Sequence, residues 1–378
     1  MRSENTMGKF GIANSATVLR DRNDRVPLDQ LWQEIQDAVA LYNAEKDVLT
    51  GLLTFETSNA ADAMPQSLTP QLMELASEQG VPIALRPEAP HEILGYTFRD
   101  WDIASRLTRF FCRDASASQI RAAVTRMLEA DRATIQSVVM RRLFSPAEDR
   151  NDFAHRCVGL FNGTDGGVPP SFMGRSFDAA HSHYLATAST DLDSEDLELA
   201  CKHVTEHGFG LGGNRGQLVA MFNPEDVEDS ALTSWRAGVV NSNTKKAKFD
   251  FIPSGQAPAF LTAEHRVGAA PPDDIDGVPV LGSYGKTFIV ESNLVPAGYF
   301  AVVSTHGTDH PDNAMGFRVH PDESWQGLRI IEGNVERDYP IIESYASRGF
   351  GVGVRRRGAA IVCQLTAGTY TAPTEFAL

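Results

Sequence analysis

The longest uninterrupted pattern in the chain runs from Ser116 to Leu143, a stretch without glycine or proline. Apolar residues recur there at close to helical spacing, namely Ile120, Ala123, Val124, Met127, Leu128, Ile135, Val138, Val139 and Leu143. The remaining face is largely basic. Ser116 and Ser118 offer capping oxygens, and Pro146 follows the last apolar position. The pattern predicts one long amphipathic helix spanning about 40 Å at about 1.5 Å per residue.

Two weaker patterns precede this helix. An apolar stripe after Pro27 predicts a helix that runs to about Asp47. Between Thr50 and Arg113, the strand-like stretches LLTFETS and EILGYTFRDWDI enclose a long proline-rich segment with little pattern. Loops of such length are usually functional or make intermolecular contacts, and an inserted subdomain is the alternative.

After the helix, a Gly/Pro-rich connector leads to a second predicted helix, which Asp193 or Ser194 can cap and Gly208 ends. A glycine loop, the apolar strand LVAMF and several further strand-like stretches follow up to the C-terminus. Long helices and strand-like stretches thus both occur along the chain. This arrangement indicates an α+β protein, and its 378 residues favour two or three subdomains.

Composition and charge narrow the functional classes. The content of 42% hydrophobic and 22% charged residues is that of a globular protein. The net charge of -15 argues against a surface that binds nucleic acid throughout. The segments 1–25 and 116–146 nevertheless carry net charges of +2 and +3, which suits a shell with one face toward a polyanion, although a basic helix face is more often simply solvated. We expect no transmembrane helix and no signal peptide.

Most sequence motifs of nucleotide-binding and hydrolytic sites are absent from the sequence. The segment 208–213 satisfies GxGxxG, but it follows a helix and precedes a strand, the reverse of a dinucleotide site. No P-loop and no GxSxG elbow occurs. The four cysteines are widely separated, so we expect buried, reduced thiols; they are Cys112, Cys157, Cys201 and Cys363.

Histidines raise the question of a metal site. His181 and His183 are two residues apart, and His203 and His207 are four apart on a predicted helix. With Glu206, the helix pair matches the HxxEH spacing of inverzincins. No further ligand motif follows, and Gly208 ends the helix at once. We therefore expect no catalytic, cofactor-binding or metal site, and no cofactor.

The order of the predicted elements and two stretches of the sequence resemble the major capsid proteins of tailed double-stranded DNA bacteriophages, which have the Hong Kong 97-type fold. The stretches are TFRDWDIASRLTRFFCRDASASQIRAAVTRMLEADRATIQSVVMRRLF and GVGVRRRGAAIVCQLTAGTYTAPTEF. The resemblance implies an N-terminal arm and helix at 1–49 and an extended E-loop at 50–113. It further implies a peripheral domain at 114–186 with a spine helix at about 116–144, an axial domain at 187–330, and closing strands of the peripheral domain and C-terminus at 331–378.

The resemblance also implies the function. Such a structural virion protein is not an enzyme, and it self-assembles into pentamers and hexamers that form an icosahedral shell around packaged double-stranded DNA. Its partners would be other copies, a portal protein, a separate scaffold or decoration protein, and packaged DNA through non-specific contacts, with no membrane. It would be made in the host cytoplasm and reside in the virion. The alternatives are an encapsulin-like nanocompartment shell and a cytosolic metal hydrolase using His203, Glu206 and His207.

Several residues are candidate intersubunit contacts under this interpretation; they are Arg86, Trp101, Arg121, Arg126, Gly212, Gly213, Arg355, Arg356 and Arg357. In an alternating strand, Arg355 and Arg357 would share a face against Arg356. Some family members crosslink a loop lysine to an asparagine of a neighbour. This chain has no lysine between Lys46 and Lys202, so we expect noncovalent contacts. No long coiled-coil segment precedes Pro27, which favours a separate scaffold or none.

Overall fold

The computed structural model describes eleven stretches of the chain. They are residues 28–45, 47–65, 73–76, 78, 80–81, 91–108, 116–229, 232–241, 245–255, 270–335 and 341–376. The chain forms two compact units. The first comprises Met1–Lys46, Arg99–Ile135 and His320–Gly349, and the second comprises Asp47–Phe98, Gln136–Val319 and Phe350–Leu378. Among the described helices, none has the length and apolar character needed to cross a membrane.

The described residues form helices and strands in a mixed order. The helices are α1 (Leu28–Ala44), α2 (Val48–Leu53), α3 (Ala117–Phe144), α4 (Ser194–Glu206) and α5 (Pro224–Asp229). The strands are β1 (Thr54–Thr57), β2 (Ala61–Pro65), β3 (His91–Gly95), β4 (Arg99–Thr108), β5 (Asp149–Arg150), β6 (Arg156–Cys157), β7 (Tyr184–Ala186), β8 (Gln217–Phe222), β9 (Phe251–Pro253), β10 (Asp274–Ile275), β11 (Val278–Pro279), β12 (Gly282–Tyr284), β13 (Thr287–Glu291), β14 (Tyr299–Thr305), β15 (Met315–Arg318), β16 (Arg329–Val335), β17 (Ile341–Val354) and β18 (Ala360–Gln364).

The long helix α3 confirms the main prediction from the sequence. It has 28 residues and begins directly after Ser116. The backbone N–H of Ser116 donates to the side-chain oxygen of Gln119 at 2.9 Å, so Gln119 supports the first turn. Four members of the predicted apolar stripe are buried, namely Ile120, Met127, Val139 and Leu143, and the other members are partly buried. The periodic positions therefore face the protein interior, as the spacing required.

The boundaries of the first two helices differ from the predicted ones. Helix α1 ends at Ala44, and a separate short helix, α2, begins at Val48. Asp47 caps α2, because its carboxylate accepts the backbone N–H of Thr50 at 3.1 Å. The leucines of LLTFETS belong to α2, and the strand begins only at Thr54. The predicted strand is therefore too long, because a cap at Asp47 restarts the helix.

In the first unit, α1 is tied to α3 through a buried carboxylate. Asp131 accepts a hydrogen bond from the Tyr42 hydroxyl at 2.8 Å and pairs with Arg348 at 2.9 Å. Burial and the hydrogen bond to Asp131 raise the pKa of Tyr42 above its ordinary value. Next to them, Asn43 exchanges two hydrogen bonds of 2.8 Å with the backbone of Leu328. Strand β16 pairs antiparallel with β17 in the same unit.

In the second unit, a seven-stranded sheet in the order β7-β18-β14-β8-β13-β12-β9 carries the main core. Helix α4 packs on β14 and β18. Its buried Leu197, Ala200 and Val204 share a cluster with apolar residues of the sheet. The predicted buried strand LVAMF lies within β8, in the middle of this sheet, where both faces are covered and side chains on both sides are buried.

The predicted cap of α4 is confirmed and includes a second carboxylate. Asp193 accepts the backbone N–H groups of Glu195 and Asp196, and Asp196 accepts the N–H of Asp193 at 3.2 Å. Asp196 is buried. Burial, and then the charge of Asp193, raise the pKa of Asp196 to about 7. The helix ends at Glu206 with His207 as its C-cap, and Gly208, which has a φ of 84°, follows directly.

This raised pKa predicts a pH-dependent stability. The pKa of Asp196 is higher in the folded chain than its value of about 3.9 in an unfolded one. The contribution of Asp196 to the free energy of unfolding is therefore complete below about pH 4 and is lost as the pH rises toward 7. We expect Asp196→Asn to raise the free energy of unfolding of unassembled subunits by about 2 kcal/mol at pH 7.5, with no gain near pH 4. Urea unfolding at both pH values measures this difference.

The exposed Asp191 provides the matched control. Asp191→Asn removes the same charge near the same end of α4, but from an exposed side chain and not from a buried one. We expect it to change the free energy of unfolding by less than about 0.5 kcal/mol at either pH. Equal gains from both substitutions would show that net charge, rather than the buried carboxyl, governs the effect.

Candidate assembly surface and histidine cluster

The segment 61–95 of the second unit contains β2 and β3, which form a two-stranded hairpin with a fixed base. The two strands pair antiparallel from Ala61 opposite Gly95 to Pro65 opposite His91. At the base, the fully buried Tyr96 donates its hydroxyl hydrogen to Asp62 at 2.7 Å. The side-chain amide of Asn151 donates to the carbonyl oxygen of Ala60 at 2.8 Å. The base of the hairpin is therefore held by buried polar contacts.

Beyond this base, the described part of the segment exposes large apolar side chains. Met73, Leu75 and Val81 are 99%, 96% and 94% exposed, and Ile93 on β3 is 54% exposed. Outside 50–113, the exposed large apolar side chains of the described residues reach at most 69%, at Met173. Exposure of apolar surface concentrated in one segment is typical of an interaction site.

The turn between β17 and β18 carries the three adjacent arginines, and here the strand prediction is wrong. Strand β17 ends at Val354 and β18 begins at Ala360, so Arg355, Arg356 and Arg357 lie in the turn. Gly358 and Ala359 complete it, and the N–H of Ala359 donates to the carbonyl oxygen of Arg356 at 3.0 Å. The three arginines therefore lie in a turn and not on a strand.

Each arginine is bound to an acidic residue of the same chain. Arg357, with a side chain only 1% exposed, pairs with Asp165 and, at 3.4 Å, with Glu92 on β3. It also donates to the carbonyl oxygens of Gly159 and Leu160 at 3.0 and 3.3 Å. These contacts direct the guanidinium of Arg357 into its own subunit.

The other two arginines of the turn are less buried. Arg355 pairs with Asp62 on β2 at 3.6 Å, and its guanidinium lies 3.9 Å from the ring centre of Phe55. Arg356 pairs with Asp312. Arg355 and Arg357 thus contact the two strands of the hairpin, one each. The turn thereby holds the hairpin base in place within the second unit.

The remaining candidate contacts lie at several places. Arg121 and Arg126 are exposed on α3, and Arg121 pairs with Glu34 of α1 at 2.7 Å. Trp101 is half-buried on β4. Arg86 lies outside the described residues.

The glycine loop after α4 is ordered by its own backbone. Gly210 donates its N–H to the carbonyl oxygen of Arg215 at 2.7 Å, and Gly212 donates to Gly216 at 2.9 Å. Gly212 and Gly213 have positive φ values of 86° and 58°, and no atom lies within 4 Å of where a Cβ would be. They are exposed. The loop follows a helix and precedes β8, as the sequence indicated, and its glycines serve a tight exposed turn.

Four histidine rings cluster near the C-terminal end of α4. His181 and His183 precede β7, His207 caps the end of α4, and His203 lies one turn earlier. The ring centres of His181, His183 and His207 lie 4.7 to 5.2 Å apart. The Nε2 atoms of His181 and His207 are 2.9 Å apart. Phe177 stacks on His207 at 3.9 Å between ring centres.

Burial keeps these histidines neutral. Burial, and then the neighbouring histidines, lower the pKa of His207 to about 3 and that of His183 well below its usual value. Burial also lowers the pKa values of His181 and His203. Glu206, which sequence reasoning grouped with His203 and His207, instead pairs with Arg175 and Lys202. The sequence pattern grouped His203 and His207 with Glu206 along the helix. It therefore did not predict that His181 and His183, from the segment before β7, join these two histidines.

The cysteines agree with the expectation of buried, reduced thiols where they are described. Cys157 and Cys363 are buried, Cys201 is partly buried, and all three are unpaired thiols. Burial raises the pKa of Cys157 and Cys201 to about 11, so neither is a reactive thiolate at neutral pH. Cys112 lies outside the described residues.

Comparison with known proteins decides the family. No protein-family model matches the sequence, and no curated protein matches it. A solved structure from Mycobacterium phage Patience is 33% identical, covers 98% of each chain and superposes with a TM-score of 0.71. The chain belongs to the family of Hong Kong 97-type major capsid proteins of tailed bacteriophages. It is a structural protein of the virion capsid whose copies form an icosahedral shell, and it is not an enzyme.

Two more distant structures complete the comparison. The capsid of an empty GTA particle is 13% identical, covers 84% of this chain and 89% of its own, and has a TM-score of 0.45. The holo-SrpI encapsulin complex from Synechococcus elongatus PCC 7942 is 12% identical, covers 89% and 97%, and has a TM-score of 0.43.

The arginine turn of this capsid protein generates a stability prediction. Arg357→Leu leaves the nearly buried Asp165 without its guanidinium, so we expect it to lower the free energy of unfolding by about 3–5 kcal/mol. Arg356→Leu removes a more exposed pair and should cost about 1 kcal/mol or less. Chemical denaturation of unassembled subunits compares the two variants. Equal costs would contradict a special role of the buried arginine.

Proposed function

We propose that residues 50–113 form the E-loop, which lies over a neighbouring subunit in the shell. The supporting observation is the near-complete exposure of Met73, Leu75 and Val81 beyond a rigidly anchored hairpin base. Burying one such side chain contributes about 1.5–3 kcal/mol. Each subunit would gain this contribution only when another copy covers the loop. The stability of the shell is then a collective property of its interfaces.

The domain assignment is part of the proposal. Residues 1–49 are the N-terminal arm and helix, 114–186 the peripheral domain with its spine helix, 187–330 the axial domain, and 331–378 the closing strands and C-terminus. The exposed Gly212 and Gly213 lie in the proposed axial domain. Glycine suits a crowded symmetry axis, because close backbone approach leaves no room for side chains. Trp101, Arg121, Arg126, Arg355 and Arg356 remain candidate intersubunit contacts.

We further infer that the subunits form pentamers and hexamers around packaged double-stranded DNA. Arg126 and Arg132 are exposed on α3, in the segment of net positive charge, and they offer non-specific contacts to phosphate. A portal protein, and a separate scaffold or decoration protein, are the proposed heterologous partners. Synthesis takes place in the host cytoplasm. Particles from producing cells test this: nuclease-protected DNA and a portal protein support it, whereas a co-purifying enzyme cargo would indicate a nanocompartment.

The exposed apolar residues of the loop generate the assembly prediction. The triple variant Met73→Ser, Leu75→Ser and Val81→Ser removes only side chains that the subunit itself leaves exposed. We expect the free energy of unfolding of the subunit to change by less than about 0.5 kcal/mol. We expect shell formation, measured by light scattering and electron microscopy, to be reduced at least tenfold.

A polar substitution in the same stretch is the matched control. Glu78→Ser changes an exposed residue between the apolar ones without removing apolar area. It should assemble like the unmodified protein. Normal shells from the triple variant would contradict the proposed role of the loop.

The absence of lysine between Lys46 and Lys202 generates a second prediction. Without a loop lysine, no isopeptide bond can join this segment to an asparagine of a neighbour. Boiled shells should therefore run in denaturing electrophoresis as a single band near 41.2 kDa. A ladder of multiples that survives boiling in reductant and detergent would show covalent crosslinks and contradict the prediction.

A further inference from the structure

We propose that His181, His183 and His207 bind a divalent transition-metal ion, for which Zn²⁺ is the best match, as a structural centre of the subunit. One ligand nitrogen from each of the three rings lies within 4.8 Å of the other two. Zinc bonds to histidine nitrogen at about 2.0–2.1 Å, which places tetrahedral ligand nitrogens about 3.3 Å apart. The side chains therefore need only small rotations to reach this geometry.

The buried His183 is already oriented as a ligand. Its Nδ1 lies 2.6 Å from the carbonyl oxygen of Ala360. Because a carbonyl only accepts, Nδ1 carries the hydrogen, and the lone pair is on Nε2. That Nε2 atom is fully buried and has no hydrogen-bond partner among the described residues. Metal-binding histidines characteristically donate their other nitrogen to a carbonyl or carboxylate, which fixes the tautomer.

The other two rings face one another through nitrogen atoms. The Nε2 atoms of His181 and His207 are 2.9 Å apart, so one must donate a hydrogen to the other when no ion lies between them. A bound cation would replace this shared proton and use both lone pairs. The stacked ring of Phe177 restricts the rotation of His207. Two of the three ligands are therefore held in place by contacts that do not involve the ion.

The ligand set selects the class of metal. Three neutral imidazoles suit Zn²⁺, Cu²⁺, Ni²⁺ and Fe²⁺, whereas Mg²⁺ and Ca²⁺ require oxygen ligands. The fourth position would take a water molecule or His203. The ring centre of His203 lies 5.3 Å from that of His181, and its buried Nδ1 has no hydrogen-bond partner among the described residues.

The location explains what the ion would do. His181 and His183 precede β7, His207 ends α4, and His183 bonds to Ala360 at the start of β18. One ion would therefore join the end of α4 to two neighbouring strands of the seven-stranded sheet. The inference does not depend on how the subunits assemble, so it can fail or hold independently of the proposed E-loop contacts.

Metal analysis of the purified full-length protein tests the inference. The protein is treated with EDTA, dialysed against Zn²⁺, freed of excess ion and analysed by mass spectrometry for zinc. We expect about one Zn²⁺ per chain, and less than about one tenth of that for His181→Ala, whose side chain is only half-buried. The exposed His91 gives the matched control, since His91→Ala removes a histidine outside the cluster. Retention of zinc by His181→Ala at the level of His91→Ala would overturn the proposal, as would an unloaded wild-type chain.

Two further measurements guard against a variant that does not fold. Co²⁺ bound to the wild-type chain should give the intense visible absorption of a four-coordinate site, and a weak six-coordinate spectrum would overturn the proposal. At a Zn²⁺ concentration of about 100 times Kd, the unfolding temperature of wild type should rise by about 3 °C. The same addition should leave that of His181→Ala unchanged, and an equal rise in both would count against the site.

Discussion

The apolar side chains of the segment 50–113 impose the main constraint on this protein. A subunit that exposes Met73, Leu75 and Val81 almost completely loses hydrophobic free energy that only another surface can restore. The main core needs no such help, because the seven-stranded sheet and α4 bury a continuous apolar cluster by themselves. The fold thus separates a self-sufficient body from a segment suited to intermolecular burial.

An extended segment can serve assembly only if its origin is fixed. Buried polar contacts provide that at the base of the hairpin, where Tyr96 bonds to Asp62 and Asn151 holds the adjacent backbone. The arginine turn adds a second attachment, because Arg355 contacts β2 and Arg357 contacts β3. Buried ion pairs contribute little net stability but are costly to break. These pairs join each of the two strands to the turn between β17 and β18.

Sequence reasoning predicted the features that depend on local periodicity and capping. The spacing of apolar residues identified α3, and the acidic N-cap and Gly208 identified α4, because helical signals lie within a few residues of each other. The family was predicted from the order of the elements and from two stretches of the sequence, and the 33% identical phage structure confirmed it. The break at Asp47 was missed, although an Asp three residues before Thr50 was a visible capping signal.

The features that sequence reasoning missed depend on contacts between distant parts of the chain. The three arginines were predicted to lie on a strand, because the residues on both sides of them form strands and only Gly358 indicates the turn. Their partners Asp62, Glu92 and Asp165 lie far away in sequence. The histidine cluster has the same origin, since His183 and His207 meet only when α4 packs on the sheet. No local pattern connects these residues, so only the fold reveals them.

Hydrogen–deuterium exchange of unassembled subunits and of assembled shells tests most directly whether the loop is completed by a neighbour. Peptides from the segment 61–95 should exchange at least tenfold more slowly in shells than in free subunits. Peptides from β8 and β14, in the middle of the sheet, should be equally protected in both states. Equal exchange of the segment 61–95 in the two states would contradict the account, because the loop would then gain nothing from its neighbours.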